Sequence, residues 1–322
     1  MNVAGLLRTL WEAWTRTMIR LGLCCIFIEA PIKFRRTTAA HLSKVERTEQ
    51  CRRLAEVCLH NAQALALSLT YCRDNGIGAF RINSQILPLI THPQMGYAIQ
   101  DLPGYRKIID AFRDCGVFAR RHDIRTSLHP DQFVVIASPR ADVRRKSLEE
   151  LVYQAMVAEW VNADVINIHG GGAYGNKPAS LKRLASVVKD LPAAVFSRLT
   201  LENDDRTFNP ADLLPVCRAA GVPLTYDVHH HRCLPDSLSV EAATRAALKT
   251  WQREPLFHIS SALERDTEAV DRRHADYIDV EDFPKTWRHL EITVDVEAKA
   301  KELAVMKLKE DLHRLNGPRI AN

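Results

Sequence analysis

Eight short runs rich in β-branched and apolar residues recur along the chain: 19–28, 76–82, 124–129, 163–169, 197–203, 222–228, 255–261 and 290–297. Gly, Pro, Asn or Asp bounds each one, as strand ends require. Between them lie stretches with apolar spacing near 3.6, among them VERTEQCRRLAEVCLHNAQALALSLTYC, PGYRKIIDAFRDCGVFARR, RRKSLEELVYQAMVAEWV and VEAATRAALKTW. Pro103, and Asn209 with Pro210, sit where helices should start, and Gly221 sits where one should stop. Eight alternating strand and helix units in 322 residues predict a single α/β domain, a (β/α)8 barrel. An open doubly wound sheet fits less well, because no dinucleotide-type glycine fingerprint follows the first strand.

The strand ends then carry the chemistry. Strand three ends at His129, strand four at His169 and strand five at Glu202. Strand six ends at Asp227 with His230 just beyond, strand seven carries His258, and strand eight ends at Glu297. In a barrel these ends converge on one face. A lone His at a strand end is usually structural, but six strands in succession ending in His, Glu or Asp would bury carboxylates with nothing to neutralise them. That costs several kcal/mol each, and bound cations remove the cost. Imidazole with carboxylate and no thiolate suits Zn, Mn or Fe rather than Ca or a structural zinc. Seven ligands are too many for one ion, so two or three are expected, an arrangement suited to displacement at a phosphate ester. In TYDVHHHRC, Asp227 and His230 would serve different ions. His229 and His231, in an extended segment, would point the other way. His231, beside Arg232, is then expected to meet a phosphate, and His229 to pack behind the site.

Loops and composition narrow the partner. The run HGGGAYGNK, 169–177, lets backbone N–H groups approach an anion with Lys177 close by. HPDQF, 129–133, places an amide and an aromatic ring just past a ligand, as stacking on bases would use. Arg35, Arg36, Arg81, Arg206, Arg232, Arg272 and Arg273 fall near strand ends, where together they would form a phosphate-tracking rim. The net charge of +5 mildly suits a polyanion. Eight cysteines with no CxxC pair read as reduced thiols. No uncharged apolar run reaches the length of a membrane span. Residues 1–17 read as an N-terminal extension, a peripheral helix or disordered, and 18–315 as the barrel domain.

FRINSQILPLITHP, SLHPDQFV, VINIHGGGAYG, LTLENDD, YDVHHH and VDVEAKAKE together resemble the UV damage endonucleases, relatives of endonuclease IV built on a three-metal TIM barrel. The resemblance spans roughly residues 18–305. It implies incision of UV-damaged double-stranded DNA immediately 5′ of a photoproduct, leaving a 3′-hydroxyl. It also implies two or three divalent ions, Mn2+ first, with Zn2+ or Mg2+ as alternatives. His129, His169 and Glu202 would hold one ion. Glu202 would bridge to a second, held with Asp227, His258 and Glu297, and His230 with His274 would hold a third. The catalytic set would be Glu202, Asp227, Glu297 and His92, the last behind the ligands or beside the substrate. Asn83, Gln132, Phe133, Tyr174, Lys177, Arg206, His231 and Arg232 would contact DNA. A monomer is expected, cytoplasmic and associated with the nucleoid. The sequence departs from familiar members at Leu23 and Phe133, where they carry Tyr, and at Leu256, where some carry Lys. The rival readings are a xylose isomerase-like sugar isomerase or epimerase and a non-catalytic damage-binding protein.

Overall fold

The computed structural model describes residues 18–265, 269–315 and 319–320; the expected extension 1–17 lies outside them. Each of the eight β-rich runs contains a strand: β1 Met18–Cys24, β2 Ala79–Ile82, β3 Arg125–Leu128, β4 Val165–His169, β5 Leu199–Glu202, β6 Leu224–Thr225, β7 Leu256–Ile259 and β8 Ile292–Val296. All neighbours pair in parallel in the order β6-β5-β4-β3-β2-β1-β8-β7. The ring closes between β6 and β7 through the bridge Asp227–His258 and the bond from His258 N–H to the Tyr226 carbonyl, 3.0 Å. A short β9, Arg319–Ile320, pairs with the start of β1.

The principal helices are α1 Arg47–Asp74, α2 Tyr105–Arg121, α3 Ala141–Val161, α4 Lys177–Lys189, α5 Pro210–Ala220, α6 Val228–Cys233, α7 Val240–Leu248 and α8 Lys301–Arg314. Asn209 caps α5 in a capping box with Asp212, and Gly221 ends it at φ +75°. The regular alternation fails once. Among the described residues between β7 and β8 there are only two short 3-10 helices, Val280–Asp282 and Lys285–His289, with Trp287 fully buried between the sheet and α7. No helix among the described residues is long and apolar enough to cross a membrane.

Strand period two sorts the residues into two environments. Ile19, Leu21 and Leu23, Ile166 and Ile168, Leu199 and Leu201, and Ile292, Val294 and Val296 face the helices and form one large apolar core. The alternate positions face the barrel axis and are mostly polar: Arg20, Arg81, Arg125, Ser127, Asn167, Thr200, Thr225, Thr293 and Asp295. The interior holds a separate small apolar cluster, Val165, Trp251 and Leu256. At the N-terminal end of the barrel, Arg20 meets Glu254 at 3.0 Å and Arg125 meets Asp164 at 2.8 Å, sealing that end with ion pairs.

One glycine sets the spacing of the outer layer. A Cβ at Gly116 of α2 would lie 2.6 Å from the Trp160 carbonyl oxygen and 2.9 Å from the Val161 carbonyl carbon. Backbone atoms cannot swing aside as a side chain does, so the helices must separate. Gly116→Ala should therefore lower stability by about 1–3 kcal/mol, as overpacking does. Thermal or denaturant unfolding that matched the wild type would refute this close approach.

Candidate metal centre

The inward-facing period delivers the strand-end residues to one place. His129 Nε2 lies 2.9 Å from Glu202 Oε2, while His258 Nδ1 and His230 Nδ1 lie 3.2 and 3.3 Å from Glu202 Oε1. His258 Nδ1 is also 3.2 Å from Glu297 Oε1, and His230 Nδ1 is 3.6 Å from Asp227 Oδ2. The His129 and His169 rings are 5.2 Å apart, and those of His169 and His230 5.8 Å. Three overlapping groups have ligand atoms within 4.8 Å of one another: His129, His169 and Glu202; His129, His258 and Glu297; Glu202, Asp227 and His230. All seven strand-end candidates fall into these groups.

The donor set fits divalent cations. Glu202 Oε1, Asp227 Oδ2, His169 Nδ1 and both His258 nitrogens are buried without a hydrogen-bond partner. Orphaned groups of this kind are expensive unless something else binds them. The supporting contacts also orient lone pairs inward. His129 Nδ1–H donates to the Pro130 carbonyl at 3.0 Å, which leaves Nε2 facing Glu202 as the ligand atom, while His230 Nδ1 lies 3.0 Å from the Asn203 carbonyl and also faces Glu202 Oε1. Asp227 Oδ1 accepts the His230 backbone N–H at 2.7 Å, capping α6, so its other oxygen is the one left over.

A relay the sequence did not suggest holds Glu202. Thr225 donates to Thr200 (2.9 Å), Thr200 to Asn167 Oδ1 (2.8 Å), and Asn167 Nδ2 to Glu202 Oε2. Asp295 was missed as a member of the mouth, and Arg81, expected on the rim, lies inside beside it. Asp295, fully buried, lies 3.8 Å from His258 Nε2 and 3.9 Å from Arg81 Nη1; Arg81 itself pairs with Glu297 at 2.5 Å. Asp295 was readable in ITVDVE, two residues before Glu297 and therefore on the same face. Burial pushes the Asp295 carboxyl up, with Arg81 opposing. Burial also acts to raise Glu202, but the His258 and His169 imidazoles win and hold it well below the usual carboxylate range. The converse holds for His230 and His258. Burial acts to lower them, and the surrounding carboxylates raise both well above the usual value.

Residues 19–320 match the UV-endonuclease UvdE family. The chain belongs to this family. It is 32% identical over 305 residues to a UV DNA damage endonuclease of Bacillus velezensis, covering 91% of this chain and 92% of the relative. The crystal structure of SacUVDE superposes with a TM-score of 0.82 at 29% identity, over 92% of this chain and 99% of the other. Endonuclease IV from Thermus thermophilus has a TM-score of 0.58 at 13% identity, over 92% of this chain and 99% of its own. D-Psicose 3-epimerase from Clostridium cellulolyticum has 0.53 at 10%, over 92% of this chain and 97% of its own; these two share the fold alone.

Around the mouth of this UvdE-family barrel, several residues expected at the substrate are occupied otherwise. Segment 228–233 is helical, not extended. His231 is consequently buried, donating from Nε2 to Asp236 (3.2 Å) and accepting the Tyr226 hydroxyl at Nδ1 (2.7 Å), so it is not on a DNA-facing surface. His229 is buried with its ring edge-on to His274 at 5.5 Å. Arg232 is paired with Asp282, Lys177 with Asp212 at 2.5 Å, and Arg206 and Arg272 both flank Asp205. Arg273 pairs with Asp271, and Arg81 is inside rather than on the rim. Asn83 is buried, its Oδ1 accepting the Gln85 N–H. His92 Nδ1 accepts the N–H groups of Gln94 and Met95; its side chain lines a lateral groove and belongs to none of the three ligand groups. His274, 3.9 Å from Glu297, also stands outside those groups. Gln132, Phe133 and Tyr174 are exposed, Phe133 at 77%. Leu23 faces the helices, and Leu256 packs against Val165 and Trp251.

Two outcomes are expected. The surrounding carboxylates raise the proton affinity of His230 and His258, so protons compete with an ion for these imidazoles and affinity should fall as pH falls. Calorimetry in buffers of different ionisation enthalpy should show about one to two protons released per protein at neutral pH; no release would mean these imidazoles are not ligands. His231→Ala should cost about 1–3 kcal/mol of stability by leaving the buried Tyr226 hydroxyl without a partner, with KM and its salt dependence unchanged. A changed salt dependence would return His231 to the substrate side.

Proposed function

We propose that this DNA repair endonuclease hydrolyses the phosphodiester immediately 5′ of a UV photoproduct in duplex DNA. Two or three divalent ions would serve it, manganese first, with zinc or magnesium as alternatives. The observation that carries this reading is Glu202. Its two oxygens face His129 on one side and His230 with His258 on the other, as a carboxylate shared between ions would be placed. His129 and His169 would hold one ion with it. Asp227, His258 and Glu297 would hold a second, and His230 a third, with His274 the least engaged member. Divalent ions held by these residues would supply Lewis-acid polarisation of the phosphate and activation of water near neutral pH.

The chain's own residues do the remaining work. The Thr225–Thr200–Asn167 relay keeps Glu202 from rotating, and Arg81 holds Glu297 while offsetting Asp295. Phe133, with Gln132 beside it, projects on a turn pinned by Asp131 Oδ1 accepting the Phe133 N–H at 3.0 Å. An exposed ring on a pinned turn can enter a base stack where a lesion has already weakened it, and weakly stacked nucleotides are the cheapest to displace. Likeness to the sugar epimerases extends to the barrel and carries no argument about substrate.

Incubation of metal-loaded protein with UV-irradiated and unirradiated supercoiled plasmid tests the reading. Nicking confined to irradiated DNA, with 3′-hydroxyl ends 5′ of the lesion, is expected. Glu202→Gln should abolish nicking and lower metal content by elemental analysis while leaving the fold intact; full metal and full nicking would sink the shared carboxylate. Phe133→Ala should weaken binding to irradiated duplex by about 1–3 kcal/mol, the worth of one stacking contact. Undiminished affinity would remove the ring from the stack.

A further inference from the structure

Between β1 and α1 the chain runs as an extended strap, 26–38, that has no partner strand and yet is pinned at several points. Cys25, at φ +70°, turns it off the end of β1, its N–H donating to the Arg81 carbonyl at 2.9 Å. The buried Glu302 carboxylate accepts the N–H groups of Ile28, Glu29 and Ala30 at 2.9, 2.7 and 3.0 Å. Asn61 of α1, also buried, accepts from Arg35 N–H at 2.8 Å and donates to the Arg35 and Ile86 carbonyls. His60 Nε2–H donates to the Lys33 carbonyl at 2.9 Å. Beyond the bends at 28–31, side chains alternate over 32–35 as an extended segment must. Ile32 and Phe34 pack inward on the core, while Lys33, Arg35 and Arg36 are exposed.

These three cations differ from the rest of the mouth. Arg81, Arg206, Arg232, Arg272 and Arg273 each have a carboxylate partner. Among the described residues Lys33, Arg35 and Arg36 have none. Arg36 also lines the same lateral groove, about 1120 Å³, as Phe133 and His92. A paired arginine must break its ion pair to take a phosphate; an unpaired one on a fixed backbone need not, and little order is lost on contact.

We propose that the strap is the main phosphate-gripping element of the DNA-binding face, with Lys33, Arg35 and Arg36 following the backbone beside the bases that Phe133 disturbs. This rests on DNA being the substrate. Its test is the salt dependence of binding, since each phosphate contact contributes about 0.9 to the slope of log K against log salt. Fluorescence anisotropy with an undamaged duplex oligonucleotide would compare three full-length proteins. They are the wild type, the triple variant Lys33→Ala/Arg35→Ala/Arg36→Ala, and the control Arg218→Ala/Arg245→Ala/Lys249→Ala. The control removes the same charge from a groove between α5 and α7 on the outer wall. The strap variant should lose about 2–3 units of slope and the control none. Equal losses in both variants, or no loss in the strap variant of a wild type that binds DNA, would overturn the strap. Absence of salt-dependent duplex binding by the wild type would overturn the DNA reading along with it.

Discussion

The Glu202 carboxylate is fully buried at the one point where the barrel's polar interior meets its mouth, and the rest of the structure is arranged around keeping it charged. Asp227, Asp295 and Glu297 stand close by, so four carboxylates share a space from which water is largely excluded. Burying like charges together is among the most costly things a fold can do. Part of the cost is met internally by Arg81 and by His230 and His258, whose affinity for protons rises because the carboxylates are there. The remainder shows as orphaned oxygens and nitrogens pointing at one another. Divalent cations would complete that balance, and the candidate ligands cluster at the seam of the barrel: β6 has two residues and joins β7 through Asp227 and His258, both among them.

A barrel lined with polar residues draws its stability from elsewhere. The helix-facing side of every strand contributes to one continuous apolar core, while the axis-facing side keeps only Val165, Leu256 and Trp251 as an apolar layer. Leu256 belongs to that layer, below the polar relay of Thr225, Thr200 and Asn167 that supports Glu202. The ion pairs of Arg20 and Arg125 close the opposite end. Unbalanced charge is thereby concentrated at the C-terminal face of the barrel.

The periphery divides by how its charges are spent. Most rim arginines hold loops together through Asp205, Asp271 and Asp282, so they shape the mouth rather than present charge. His231 and Lys177 are likewise absorbed into local structure. Free positive charge is left on the strap after β1, held flat by Glu302 and Asn61.

The sequence by itself determined the strand-helix alternation, all eight strands and the seven residues that converge at their ends, because period two and strand polarity decide which side chains share a face. It also carried the family, through motifs that occur in order. What it could not decide was where alternation stops and which charges find partners. The histidine run reads as extended by continuation from β6, yet Asp227 caps a helical turn there and swings His231 inward. Asp295 hides among valines until neighbouring strands bring His258 and Arg81 beside it. Arg206 and Arg273 meet carboxylates one and two residues away, but Arg81, Arg232 and Arg272 are paired by Glu297, Asp282 and Asp205, tens of residues distant. Those are long-range contacts, and only the closed barrel brings them into reach.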